Sequence, residues 1–95
     1  MSSALKGITR HVAANHFNES VCARVAKILA EERERKKISL NTLAQRAGIS
    51  RQTIRFIELE ERNPTLITLL RIASVLDLKI EDIIARARRA VERSR

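Results

Sequence analysis

At 95 residues the chain has room for one domain with a modest core, and its 44% hydrophobic content lies in the ordinary globular range. Nineteen Lys and Arg against 11 Asp and Glu leave a formal charge of +8 at pH 7, which points to an anionic partner, either nucleic acid or an acidic membrane surface. With no Trp or Tyr and only two Phe, stacking-based binding of single strands is disfavoured, and a lone cysteine, Cys22, excludes an intrachain disulfide.

No apolar run approaches the roughly 18 residues of a membrane-spanning helix. The opening MSSALKGITRHVAANHF lacks the apolar stretch of a secretory signal. A cytoplasmic protein with no membrane span is therefore expected. Periodicity of 3.6 recurs while strand-like alternation does not, so the expected fold class is all-α.

Residues 1–19 read as an N-terminal extension, flexible or helical. Leu5, Ile8 and Val12 share a helical face there, but Gly7 and Asn15 weaken it. Asn18 or Ser20 is suited to cap a helix over about 20–36, whose Val21, Val25, Ile28 and Leu29 form one stripe. That helix ends in EERERKK, where acids precede bases and the last turn is basic, matching the helix dipole. Ser39 is placed to cap a second helix with Leu43, Ala44 and Ala47 inward, and Gly48 to end it in a left-handed turn. Ile49, an apolar residue inside that turn, is expected to tuck into the core. Ser50 then caps a third helix over about 51–59.

EERNPT, residues 60–65, reads as a loop, with Pro64 pushing Asn63 out of helical geometry. Thr65 caps a fourth helix, LITLLRIASVL, whose Leu66, Leu69, Leu70, Ala73 and Leu76 predict the central core helix. A fifth begins near Ile80 with Ile83, Ile84, Ala87 and Val91 on one face. Its tail, residues 86–95, is arginine-rich. The expected organisation is thus an extension (1–19), a folded domain (20–85) and a basic helical extension (86–95).

The third helix carries the chemistry. At 100° per residue Ile54 and Ile57 point one way, with Glu58 near them, while Gln52 and Phe56 point nearly opposite. Arg55 flanks these two and Arg51 occupies the first turn. Arg can bond guanine in bidentate fashion, Gln can do so with adenine, and Phe can touch a thymine methyl. Ser50 and the first-turn N–H groups can take a phosphate. The competing reading is a solvated helix face. Glu58 also needs a partner on the core side. Arg33, which continues the row Val25, Leu29 at i, i+4 spacing, is the economical choice, and it can lend a spare N–H to a phosphate.

With these positions in place, residues 38–84, ISLNTLAQRAGISRQTIRFIELEERNPTLITLLRIASVLDLKIEDII, resemble the lambda-repressor/Cro-like (XRE) helix-turn-helix domain. The carrying motifs are LAxRAGIS, TIxxIE, NPT before LLRIA, and L-x-I-x-D-I-I. The resemblance implies a compact five-helix bundle whose third helix enters a DNA major groove. It implies base contacts by Arg51, Gln52, Arg55 and Phe56. It implies backbone contacts by Arg33, Ser39, Asn41, Arg62 and Asn63, which join Ser50 as phosphate-contact candidates, and an ion pair between Arg33 and Glu58. The sequence departs from the family where Leu40 replaces a frequent glutamine and Glu60 a frequent glycine. A left-handed Glu60 costs on the order of 1 kcal/mol, and Glu60 and Glu61 set negative charge near the expected phosphates.

Other chemistry is thinner. His11, His16 and Cys22 match no zinc spacing and read as surface histidines and a buried thiol. No phosphate loop or nucleophile arrangement is visible, so neither an enzyme nor a cofactor is expected. The C-terminal helix has three readings: a solvated face, backbone contacts through Arg86, Arg88, Arg89 and Arg93, or a dimer seam of Ile84, Ala87 and Val91. Two functions follow. One is a sequence-specific regulator of double-stranded DNA, a repressor acting as a homodimer. The other is an antitoxin-type module that neutralises a toxin-like protein partner and regulates its own operon.

Overall fold

Five helices follow in order: α1 (Ser2–Arg35), α2 (Leu40–Ala47), α3 (Arg51–Glu58), α4 (Leu66–Val75) and α5 (Ile80–Arg93). The structure, a computed structural model, describes the backbone of residues 2–94 and the side chains of residues 15–94. The expected face of Leu5, Ile8 and Val12, and His11, lie outside the described side chains. No strand occurs among the described residues, so the all-α expectation holds.

Hydroxyls start three of the helices. Ser39, Ser50 and Thr65 each accept the backbone N–H of the threonine three residues on, at 3.0, 3.0 and 3.3 Å. Each also donates its own proton to that threonine's hydroxyl, at 2.9, 2.7 and 2.9 Å. A cap of this kind contributes about 1 kcal/mol. α5 begins without a side-chain cap, and Glu81 and Asp82 supply negative charge in its first turn instead.

Four helices end alike. Lys37, Gly48, Glu60 and Asp77 are left-handed, with φ of 58°, 68°, 62° and 57°. The next N–H in each case returns to a carbonyl five residues back: Ile38 to Arg33, Ile49 to Ala44, Glu61 to Phe56 and Leu78 to Ala73. In this motif the last residue normally makes an apolar contact. Ile38, Ile49 and Leu78 do so against the core, whereas Glu61 is exposed.

The core joins Val25, Ile28 and Leu29 to Leu43, Ala44, Ile54, Ile57, Ile72, Ala73, Leu76, Ile80, Ile83 and Ala87. α1 packs chiefly on α5, and α2 sits between α3 and α4. Lys36 Nζ donates to the Leu76 carbonyl, tying the end of α1 to the end of α4.

Several expectations are corrected. α1 does not start at Asn18 or Ser20 but runs unbroken for 34 residues. Asn and Ser disfavour a helix interior by only about half a kcal/mol each, and here Phe17 under Arg88 and Val21 against the core favour continuation. α1 and α5 therefore pass without a break through 19–20 and 85–86. At 1.5 Å per residue α1 spans about 51 Å, close to the molecule's longest dimension of 55 Å.

α4 is only half a core helix. Leu66 is 63% and Leu70 40% exposed, and Ile67 is exposed as well, because the bundle covers only the C-terminal half of α4. Cys22 is exposed rather than buried. Ala87 and Val91 are buried within the chain, so the distal face of α5 is no free dimer seam; only Ile84 of that trio keeps partial exposure.

Candidate nucleic-acid interface

α3 is short and is held from three sides. Ile54 and Ile57 are 1% and 3% exposed and anchor its inner face. Ser50 fixes its start. Near its end, Glu58 accepts two parallel hydrogen bonds from Arg33, Nε to Oε2 at 2.7 Å and Nη2 to Oε1 at 2.9 Å. The fork geometry matches guanidinium to carboxylate, and this pairing raises the Arg33 pKa above its ordinary value. Arg33 Nη1 also donates to the Ile38 carbonyl at 2.8 Å, closing the turn after α1.

A rigid helix with a fixed inner face presents its other residues outward. Arg51, Gln52 and Arg55 are exposed. Their N–H groups and the Gln52 amide are free to meet base edges. Phe56 is half-buried, and the Arg62 guanidinium carbon stands 4.7 Å from its ring centroid. Asn63, next along the loop, is exposed.

The other expected backbone contacts fall into two groups. Asn41, on the first turn of α2, is exposed and open. Ser39 and Ser50 are exposed too, but each hydroxyl already gives its proton to Thr42 or Thr53. What their helices offer an anion is the first-turn backbone N–H groups. Arg33 has three of its five N–H groups engaged and its side chain is 12% exposed, so its main role is in the frame behind α3.

The arginines of α5 partly turn inward. Arg86 pairs with Glu32 at 3.4 Å, and Arg88 lies over the Phe17 ring at 5.4 Å. Both therefore tie α5 to α1. Arg89 and Arg93 are exposed. Glu32 also takes Arg35 at 2.6 Å. The hydrogen bond from Arg35, with help from Arg86, holds the Glu32 carboxyl below the usual carboxylate range against the opposing effect of burial. No group of His, Cys, Asp and Glu suited to a metal occurs among the described residues. Among them, too, no helix is long and apolar enough to cross a membrane.

Sequence reasoning missed the stacking of Arg62 on Phe56. Helical periodicity stops at residue 58, and the contact forms only because the left-handed Glu60 turns the chain back. The family position of Glu60, where a glycine is frequent, was the available signal.

Comparison with known proteins supports the helical arrangement. A model of the Helix-turn-helix family matches residues 29–83, from the end of α1 into α5. An Archaeoglobus fulgidus protein described as an uncharacterized HTH-type transcriptional regulator is 40% identical over 55 residues, covering 58% of this chain and 78% of that protein. No solved structure matches the chain.

Proposed function

Because the chain belongs to the lambda-repressor/Cro-like (XRE) helix-turn-helix family and is a DNA-binding regulator, we propose that it reads specific double-stranded sequences with α3 and acts as a repressor in the cytoplasm. The observation that carries this reading is the exposed trio Arg51, Gln52 and Arg55 on a helix whose opposite face is locked into the core. Those side chains are the readers of base edges. Phosphate contacts by Arg62 and by the N–H groups at the starts of α2 and α3 supply affinity, with Asn41 and Asn63 fixing register.

The proposed active form is a homodimer, since a two-fold protein matches an inverted operator. Support for a second copy comes from the exposed Leu59, Leu66, Ile67 and Leu70, at the end of α3 and the start of α4. A contact through Leu59 brings the ends of two α3 helices near each other.

The test is selection of bound sequences from a random duplex pool at near-physiological salt. The expected result is an inverted motif with half-sites about one helical turn apart. A featureless pool overturns sequence reading. Purification of the chain with a second small protein attached would instead favour the antitoxin-type alternative.

A further inference from the structure

Phe56 stands on the outward face of α3, where an aromatic ring is suited to touch a thymine methyl. The structure gives the ring another occupation. α3 ends at Glu58, and the chain reverses at Glu60, whose φ is 62°. The Glu60 N–H bonds to the Ile57 carbonyl at 3.0 Å and the Glu61 N–H to the Phe56 carbonyl at 2.9 Å. This turn is anchored on Phe56 itself, and it carries Arg62 back over the ring at 4.7 Å. One ring face is covered by a guanidinium and the residue is half-buried. Little ring is left for a base.

Arg62 gains what Phe56 loses. Stacking uses the flat face of a guanidinium and leaves its N–H groups at the rim. Among the described residues none of those groups has a hydrogen-bond partner, and Arg62 is exposed. The result is a charged fork held on a platform at the C-terminal end of α3. In helix-turn-helix docking the N-terminal part of the reading helix meets the bases, so this end lies toward the sugar-phosphate strand.

We propose that Phe56 is a positioning residue for a phosphate contact made by Arg62, and not a base reader. The proposal rests on α3 being the DNA-facing helix. Glu60 and Glu61 sharpen the need for it: acids at the same turn repel phosphate, and Arg62 is the cation next to them in the chain.

The test uses the full chain, its Phe56→Leu, Phe56→Tyr, Arg62→Ala and Phe56→Leu/Arg62→Ala variants, and a mixed-sequence duplex. Phe56→Leu is expected to weaken binding about two- to fivefold, the scale of an exposed cation–π contact. The loss should be the same on all sequences. Arg62→Ala should weaken it further and reduce the slope of log K against log salt by about one. In the Arg62→Ala background Phe56→Leu should have no added effect, and Phe56→Tyr, which keeps the ring, should bind as the parent does. Melting curves confirm that each variant is folded at the assay temperature.

Additive losses in the double variant overturn the proposal. So does a Phe56→Leu protein that binds the mixed duplex normally but loses preference at one base pair of a selected site. Gln52→Ala separates the two layers. If it relaxes one base position while Phe56→Leu relaxes another, only the positioning role fails. If no α3 variant alters any sequence preference, the reading of α3 fails with it.

Discussion

Arg33 and Glu58, 25 positions apart, meet through two hydrogen bonds of 2.7 and 2.9 Å while both side chains are mostly covered, at 12% and 15% exposure. The pair connects the end of α1 to the end of α3. A third bond to the Ile38 carbonyl ties the same guanidinium to the turn before α2. One arginine thus joins α1, α3 and the turn before α2.

Removing one partner of such a pair leaves an uncompensated charge away from water. Glu58→Ala is expected to destabilise the fold by about 3 kcal/mol. For a domain of this size that lowers Tm by roughly 12 °C or more. Replacing both residues with apolar ones, Arg33→Met with Glu58→Leu, should recover much of the loss, because no charge is stranded. Urea titration of the three proteins checks this. An Ala variant that melts with the parent would show the pair to be idle.

Gln52 is exposed one turn before Phe56, with its amide unengaged by any described hydrogen bond. Gln52→Ala should therefore leave stability alone and relax specificity at one base position, at about 1–3 kcal/mol for the preferred base. Repeating the pool selection with this variant reads the effect position by position. Equal loss on every sequence would assign Gln52 to the backbone instead.

What could be read before the structure was what local chemistry dictates. Ser39, Ser50 and Thr65 announce helix starts because their hydroxyls satisfy free N–H groups, and Gly48 announces a stop because it accepts positive φ without strain. Glu58 and Arg33 were legible because a charge in an apolar row needs a partner. The reversals at Lys37, Glu60 and Asp77 were less visible, since long or acidic side chains occupy left-handed positions there. The hydrogen bonds of the whole motif, not residue preference, hold those turns. Leu66 and Leu70 misled because periodicity reports which residues share a face but not how far the neighbouring helices extend to cover it. The continuity of α1 depended on Phe17 and Val21 finding partners on other elements.

Glu32 gives the fold a pH dependence. Its folded carboxyl titrates below the usual range because of Arg35 first and Arg86 second. A depressed folded value means that the unfolded chain takes up the proton more readily. The contribution is fully present above the ordinary glutamate range, and it is lost as pH falls below about 4 through the depressed value. Because both arginines are substantially exposed, at 66% and 46%, solvent screening keeps the contribution below about 1 kcal/mol. Glu32→Gln should melt slightly lower than the parent at pH 7, and the two curves should converge in acid. A constant gap across that range would mean that shape rather than charge at residue 32 matters.

Backbone strain makes the last prediction, and two sites test it in opposite directions. At Gly48 an added Cβ meets nothing within 4 Å, yet φ is 68°. Gly48→Ala should thus cost about 1 kcal/mol from the left-handed backbone alone, with no packing change. At Glu60 the same conformation already carries a side chain, with φ of 62°. Glu60→Gly should relieve that strain, less the greater freedom a glycine gives the unfolded chain, for a net gain of about 0.5 kcal/mol. The same change removes a carboxylate beside Arg62, so DNA affinity should rise together with stability. Thermal melts and duplex binding of Glu60→Gly, compared with Glu60→Gln, separate the two effects: Gln removes the charge and keeps the strain. If Gln alone reproduced the whole gain in stability, the left-handed turn would be cost-free as it stands.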